Sequence, residues 1–445
     1  MFKMGLAQKD ITPPLGTPIA GNFREDYGCK GIYHRLYARA LVIDDGSTKV
    51  GIVMTDLAAV THEIVRSCRQ KIKETTGIEP DRIMIAATHT HSGPDVGSLP
   101  LGQRLNDTTL NMIQSQIANA VIEAYRNSFP VKIGFKSGKE DTIGHNRRMR
   151  LKDGTVHMNW EKPDPCQIDK ILGPIDPEVG VIKVEDMKGK LLAVFVNYTC
   201  HPAILAGDNE FISADYPGFL YERVKERLGK DILAIFSNGA QGNVNHIDPY
   251  NPHQKRGFEE AKRLGYKLAD EAVRIVENTK TDNEIKVSCS SEKLVIPRRK
   301  ISDERLSWAK DILSKWNGKP VTLVDGLPDE FYAREAFILK EKENQPLETE
   351  LQVITIGDLA LVGLPGEVFV EFGLEIKKKS PYKRTFIIGF ANDSAGYVPT
   401  VTAFKEGGYE PTPARHSQLA ENAGQLLVES ACQQLLYLYK LSLVT

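Results

Sequence analysis

Apolar runs and amphipathic stretches alternate through the first half of the chain. Lys49–Thr55 (KVGIVMT) is a mostly apolar run ending at Asp56, the pattern of a strand covered on both faces. Val60–Thr76 follows with Ile64, Val65, Cys68 and Ile72 at helical spacing, and Gly77 stands where a helix C-cap belongs. Ile83–Ala87 (IMIAA) predicts a second buried strand, and Asn106–Asn127 aligns Leu110, Ile113, Ile117, Val121 and Ala124 on one helical face. This rhythm predicts an α/β architecture, mixed β-sheets flanked by helices. Further strands are predicted at Val181–Val184, Leu192–Tyr198, Ile232–Phe236 and Lys286–Ile296, with a hairpin pair at Leu351–Ile356 and Leu359–Leu364. Helices are predicted at Pro217–Leu228, Phe258–Asn278, Asp303–Trp316 and Asp329–Lys342, and Ala414–Leu441 reads as one long helix. Neither a repeat nor a Pro/Gly/Ser-rich linker interrupts the pattern. Residues 1–445 therefore read as one large domain, and the polar stretch near 279–285 is the candidate for a subdomain join.

Composition narrows the function classes. Hydrophobic residues make up 41% of the chain, enough for a sizeable core, so disorder is excluded as the main state. The 57 Lys and Arg nearly balance the 58 Asp and Glu, and the longest basic runs are Arg298–Lys300 and Lys377–Lys379. A nucleic-acid partner is not expected from such a balance. Six cysteines lie far apart with no CxxC pair, the usage of reduced, mostly buried thiols. No signal-peptide stretch precedes Asp10, and no apolar run approaches the length of a membrane span. The expectation is a chain without a transmembrane segment, located in the cytoplasm unless a leader has been trimmed.

Candidate chemistry gathers after the apolar runs, where α/β proteins place ligands. Directly after Ile83–Ala87 comes Thr88-His89-Thr90-His91-Ser92-Gly93-Pro94. Histidines at i and i+2 point to one side of an extended chain. They suit a shared metal, or one ligand with an acid/base partner; a solvated polar strand end is the competing reading. Asn197-Tyr198-Thr199-Cys200-His201-Pro202 puts another histidine just past a strand. Asn238-Gly239-Ala240-Gln241-Gly242-Asn243-Val244-Asn245-His246 suits a loop of unusual dihedrals and exposed amides, or an ordinary tight turn. Pro365-Gly366-Glu367 sets a carboxylate beyond Leu359–Leu364, where a helix-starting glutamate is the simpler reading.

Taken in order, these motifs carry a family likeness. Asp10-Ile11-Thr12-Pro13-Pro14 with Gly21, Leu36–Ala40, Thr88–Pro94, Asn146-Arg147-Arg148, His201-Pro202, Ala214–Gly218, Asn238–Val244, Pro365-Gly366-Glu367 and Gly396-Tyr397-Val398 span about residues 5 to 410. The chain resembles the catalytic region of neutral (non-lysosomal) ceramidases, zinc amidases that cut the N-acyl bond of ceramide. The resemblance implies a Zn2+ site formed by His89, His201, Glu367 and Tyr397, a donor set that zinc accepts. It further implies that His91 is the hydrogen-bonding or acid/base partner, and that Arg147 and Tyr409 hold and polarise the amide carbonyl. A zinc-activated water would attack that carbonyl.

The chain also departs from the family pattern. Where ceramidases read Gly-Asp-Val-Ser-Pro, this sequence has Gly242-Asn243-Val244-Asn245-His246. Asn245 is a poor nucleophile in place of the serine, while His246 adds an ionisable ring that, like His91, is a candidate to protonate the leaving amine. No counterpart of the family's C-terminal immunoglobulin-like domain is expected within residues 1–445. Two rivals follow: a zinc hydrolase of this scaffold acting on a polar amide, ester or sugar derivative, and a non-catalytic zinc-binding homologue. The loops Asp95–Asp107 and Thr155–Pro174 are the expected pocket walls, and Trp160, His157 and several charges in the second lean toward a polar ligand.

Overall fold

The computed structural model describes residues 2–21, 28–97, 105–205, 207–318 and 327–443. Among them, eight strands share one mixed sheet: β1 (Lys3–Asp10), β2 (Tyr37–Asp44), β3 (Lys49–Thr55), β4 (Ile83–Ala87), β5 (Phe129–Lys139), β6 (Glu178–Asp186), β7 (Leu191–Tyr198) and β8 (Leu233–Asn238). Their spatial order is β8-β7-β6-β5-β1-β2-β3-β4. Four helices accompany them, α1 (His62–Thr76), α2 (Asp107–Arg126), α3 (Tyr216–Leu228) and α4 (Phe258–Glu277).

The topology repeats even though the sequence does not. β1-β2-β3-α1-β4-α2 is followed by β5-β6-β7-α3-β8-α4, and each half has three antiparallel strands and then a parallel edge pair. The halves meet at a short antiparallel seam, Lys3 opposite Pro130 and Met4 opposite Phe129.

A second sheet holds β9 (Val287–Ile296), β10 (Leu347–Ile356), β11 (Leu359–Gly363) and β12 (Arg384–Ile388) in that order, with β11 and β12 parallel. The remaining longer helices are α5 (Asp303–Lys315), α6 (Asp329–Lys342), α7 (Val370–Lys379) and α8 (Ala423–Ser442).

Side-chain parity fixes the layers. Ala40 and Val42 on β2, with Val181 on β6, pack with Ile64, Ile117, Phe219 and Leu268 of α1 to α4. Their alternates Leu41, Ile43 and Ile182 pack against Ile354, Leu361 and Phe386 of the second sheet. The outer face of that sheet, Val353, Val362 and Ile387, is covered by Ile376 of α7 and Leu427, Val428 and Leu435 of α8. Helices, sheet, sheet and helices thus form four packed layers. A strand buried on both faces shows no polar alternation, which is why Lys49–Thr55 and Ile83–Ala87 stood out in the sequence.

Two expectations need correction. The stretch Ala414–Leu441 is not one helix: the helix begins at Ala423, and the segment before it is used for tertiary pairing, with His416 O accepting Tyr397 N (2.6 Å) and Leu419 bridged to Arg298. Moreover, the strands Lys3–Asp10, Tyr37–Asp44, Phe129–Lys139 and Arg384–Ile388 escaped prediction. Glycines, lysines and a proline break the pattern of β1 and β5, because helices and loops press close there. A Cβ at Gly5 would lie 1.6 Å from Ala124 O, and one at Gly134 2.0 Å from Lys280 O. The polar stretch near 279–285 is stitched to β5 by reciprocal bonds between Ile133 and Asp282 (2.8 Å each).

Candidate metal centre and active site

Three strand ends converge. Asn238, closing β8, donates from Nδ2 to Thr88 O just past β4 (3.3 Å), and its own carbonyl accepts Gly389 N past β12 (3.0 Å). Ala87 N donates to Phe390 O (3.3 Å). The histidine loops are tied together as well: His91 N donates to Pro202 O and His201 N to Val244 O, both at 3.0 Å. A short parallel bridge sets Glu367 opposite Tyr397. There Gly366, at φ 105°, allows an approach in which a Cβ would meet Gly396 O at 2.6 Å.

His89 has φ 69°, a left-handed conformation uncommon for a residue with a side chain, and Phe390, whose ring stacks on it at 4.1 Å, has φ 50°. Such local strain clusters where the surroundings dictate a side chain's aim. His89 Nδ1 lies 2.6 Å from Ala58 O and His201 Nδ1 3.0 Å from Val244 O. A carbonyl only accepts, so both Nδ1 atoms carry hydrogens and both Nε2 atoms point into the site. The ligand nitrogens of His89, His91 and His201 all lie within 4.8 Å of one another. Glu367 Oε2 sits 3.0 Å from His201 Nε2 and 3.5 Å from His89 Nε2.

These contacts test the fit of a cation. Burial, with help from Arg147, pushes the His201 imidazole down to about 4, so it is neutral at neutral pH. Burial would raise the Glu367 carboxyl, but His89 and His201 more than offset it and hold it well below the ordinary range. With Nδ1 of each histidine bonded to a carbonyl, both Nε2 atoms turn to the Glu367 carboxylate, and a positive charge is needed between them. A divalent ion resolves that arrangement, and imidazole nitrogen with carboxylate oxygen is a donor set zinc takes. The residues fit the group.

Around this centre Arg147 is held on one side. Its Nε donates to Glu410 Oε1 (2.7 Å) and its Nη1 lies 3.4 Å from His201 Nε2, while its Nη2 is buried with no hydrogen-bond partner among the described residues. Burial lowers its proton affinity, but Tyr397, Glu410 and Glu367 raise it more, and the guanidinium stays charged. Burial lifts the phenols of Tyr397 and Tyr409 well above 10, so both keep their protons. It also pulls His91 well below 6.5, together with the neighbouring His89 and His201.

Every site residue expected from the sequence lies at this centre or in the cavity beside it. His91, Arg147, His201, Asn245, His246, Tyr397 and Tyr409 all line that cavity. Asn245 is closed on Asn159: its Nδ2 donates to Asn159 Oδ1 (2.8 Å), and its Oδ1 accepts from Asn159 Nδ2 (2.7 Å) and from Ile247 N (3.0 Å). Burial pushes the His246 ring down to about 3, so it is neutral and gives a proton only after taking one up. Of the expected walls, Asn159, Trp160, Lys162 and Pro163 line the cavity, whereas residues 98–104 lie outside the described residues. Sequence reasoning gave no role to Glu410, Asn159 or His416. The last stacks on Tyr409 with its ring nitrogens unpaired.

A four-layer α/β protein with a buried cluster of imidazoles, a carboxylate and a guanidinium at converging strand ends is the class that fold and site define. The family described as "Neutral/alkaline non-lysosomal ceramidase, N-terminal" matches residues 2–252, and the chain belongs to that family. Neutral ceramidase from Pseudomonas aeruginosa is 23% identical over 471 residues, covering 92% of this chain and 68% of that protein. Neutral ceramidase A of Dictyostelium discoideum is 26% identical over 237 residues, covering 50% of this chain, which spans only 32% of that relative's length. The crystal structure of the Pseudomonas aeruginosa enzyme superposes with a TM-score of 0.76 at 20% identity, covering 99% of this chain and 74% of that one, and shows the fold to be shared.

Proposed function

We propose that the protein is a zinc-dependent hydrolase of the neutral ceramidase type that cleaves an N-acyl amide bond. The observation that carries the reading is the convergence of His89, His91 and His201 within 4.8 Å, with Glu367 Oε2 3.0 Å from His201. His89, His201, Glu367 and Tyr397 are the residues to hold the ion, which when bound supplies Lewis-acid activation of water and of the carbonyl. The chain's own groups do the rest. Arg147 Nη2, buried without a partner, donates to the carbonyl oxygen as it gains charge, and the protonated Tyr409 phenol adds a second donor. His91, neutral and half-buried, accepts a proton beside the reacting carbon and returns it to the departing amine. The amide of Asn245, engaged with Asn159, maintains the wall and takes no part in bond making.

Metal analysis of the purified protein, with hydrolysis assays on short-chain ceramides and N-acyl amino acids before and after chelation, tests this. His201→Ala loses metal and turnover together, and Asn245→Ala keeps the metal. Stoichiometric zinc in His201→Ala would overturn the assignment. Among the described residues no helix is long and apolar enough to cross a membrane. The described cysteines are unpaired, which fits a reducing compartment, and we place the protein in the cytoplasm, a placement cell fractionation checks.

A further inference from the structure

The cavity beside the histidines has a volume of about 330 Å3, near the small end of the range of roughly 300–1,000 Å3 for small-molecule sites. Its described walls contain no Leu, Val, Phe or Met. The aliphatic side chains are Ala203, Ile204 and Ile247, with three prolines at the edges. Two long alkyl chains need continuous apolar surface, and the described walls interleave theirs with polar groups. Asn159 and Asn245, paired face to face, make one side. Two buried polar atoms in the lining, Arg147 Nη2 and His246 Nδ1, have no hydrogen-bond partner among the described residues. Unsatisfied buried groups are uncommon and call for a water, an ion or a ligand to complete them. Trp160 stands edge-on to Tyr409 at 5.3 Å and gives a flat aromatic side to a short acyl group.

Charge at the rim points one way. Arg147 is neutralised by Glu410 and Arg256 by Asp208. Lys162 and Lys255, both exposed and both lining the cavity, have no salt-bridge partner among the described residues, and Asp248 is the one acidic side chain of the described lining. Among the described residues, the lining thus carries two unpaired lysines against one carboxylate, an excess of positive charge. Resting on the amide-hydrolase reading, we propose that the substrate is a compact N-acyl compound carrying an anionic group: its amide lies at the histidines, its short acyl or amine portion against Trp160, and its negative charge toward Lys162 and Lys255.

The anion itself is a carboxylate, sulfonate or phosphate, and matched compounds separate these sources. The metal-loaded full chain is assayed with N-butanoylglycine, N-butanoyltaurine and O-phospho-N-butanoylethanolamine. Neutral N-butanoylglycinamide and N-acetylsphingosine serve for comparison. kcat/KM is measured for each compound that is turned over, and the dissociation constant by calorimetry for each that is not. Two rim cations acting through partly screened ion pairs, each worth up to about fivefold, give roughly a tenfold preference for an anionic compound over its neutral amide. The preference shrinks as salt is added, and Lys162→Ala with Lys255→Ala brings the ratio near one. The best of the three anions identifies the headgroup. A glycinamide that binds or reacts as well as the anions, a preference that survives the double replacement, or N-acetylsphingosine as the best substrate would each overturn the proposal. Preferential binding of the anions without turnover of any compound would sink the hydrolase reading while upholding the ligand class.

Discussion

Glu410 is the most informative residue to replace. It is fully buried and is reached by two guanidinium groups, Arg147 Nε to Oε1 at 2.7 Å and Arg148 Nη1 to Oε2 at 2.9 Å. Burial alone would raise its carboxyl, yet the two arginines hold it below the ordinary range. Glu410→Gln keeps the shape and one acceptor but removes the charge, leaving Arg147 a buried cation without its carboxylate. Breaking a buried pair costs about 3–5 kcal/mol, and the retained amide acceptor brings the expected loss of stability to about 2–3 kcal/mol. Arg148 is less affected, because its Nη2 also donates to Gly407 O (2.9 Å) and meets Glu406 (3.4 Å). Activity suffers more than stability. In the proposed mechanism an unanchored Arg147 no longer donates to the carbonyl oxygen, and removing one such donor lowers kcat by about 100- to 1,000-fold. Urea denaturation reads the first effect, steady-state kinetics the second, and metal content the control. The expected result is a low kcat with zinc retained, and Arg148→Ala as a variant that loses stability with much smaller kinetic damage. An unchanged kcat in folded, metal-loaded Glu410→Gln would refute the anchoring of Arg147, and loss of metal would mean that Glu410 acts on the ligands instead.

Other expectations are independent of the site. Arg69 on α1 forks onto Glu350 of β10 (2.6 and 2.9 Å). Burial raises the Glu350 carboxyl, but Arg69 lowers it further, so the native value lies below the ordinary 4.5. A depressed native value stabilises the fold at pH above the unfolded value and is lost as pH falls through the native one. The stability gap between wild type and Glu350→Gln in denaturant titrations should be widest at neutral pH and shrink as pH falls through and below the ordinary carboxylate range; a gap that widens in acid contradicts the ion pair. Burial pushes the Cys68 thiol up to about 12 and raises Cys200 likewise, whereas Cys166 is exposed. At mildly alkaline pH a thiol reagent should label Cys166 rapidly in the native protein and reach Cys68 and Cys200 only after unfolding. Mass mapping of the labelled sites checks this.

Much of the site could be read from the sequence because its histidines follow the apolar runs Ile83–Ala87 and Leu192–Tyr198. Continuous apolar stretches such as Ile83–Ala87 are conspicuous, and the polar residue that ends them is conspicuous too. Glu367 and Tyr397 were different: a Pro-Gly-Glu turn and a lone tyrosine mean little locally, and the family likeness alone singled them out. The partners that aim the reactive groups were invisible for a plainer reason. Glu410 reaches back to Arg147 across most of the chain, and Asn159 meets Asn245 through a loop whose path no periodicity foretells. The strands β1 and β5 were lost because the glycines and lysines that let them sit in the centre of the sheet also erase their hydrophobic signature.

The duplicated strand order has a consequence for how the polypeptide holds together. His89 belongs to the first copy of the unit, His201 to the second, and Glu367 to the segment after both. No one of these pieces carries enough donors to grip an ion by itself, and although the strand ladder between the copies is only a few residues long, both share one core. A cation seated among them rivets three stretches of chain, and its occupancy favours the assembled state by mass action. Stripping such an ion should therefore lower the stability of all three stretches together, since one core joins them.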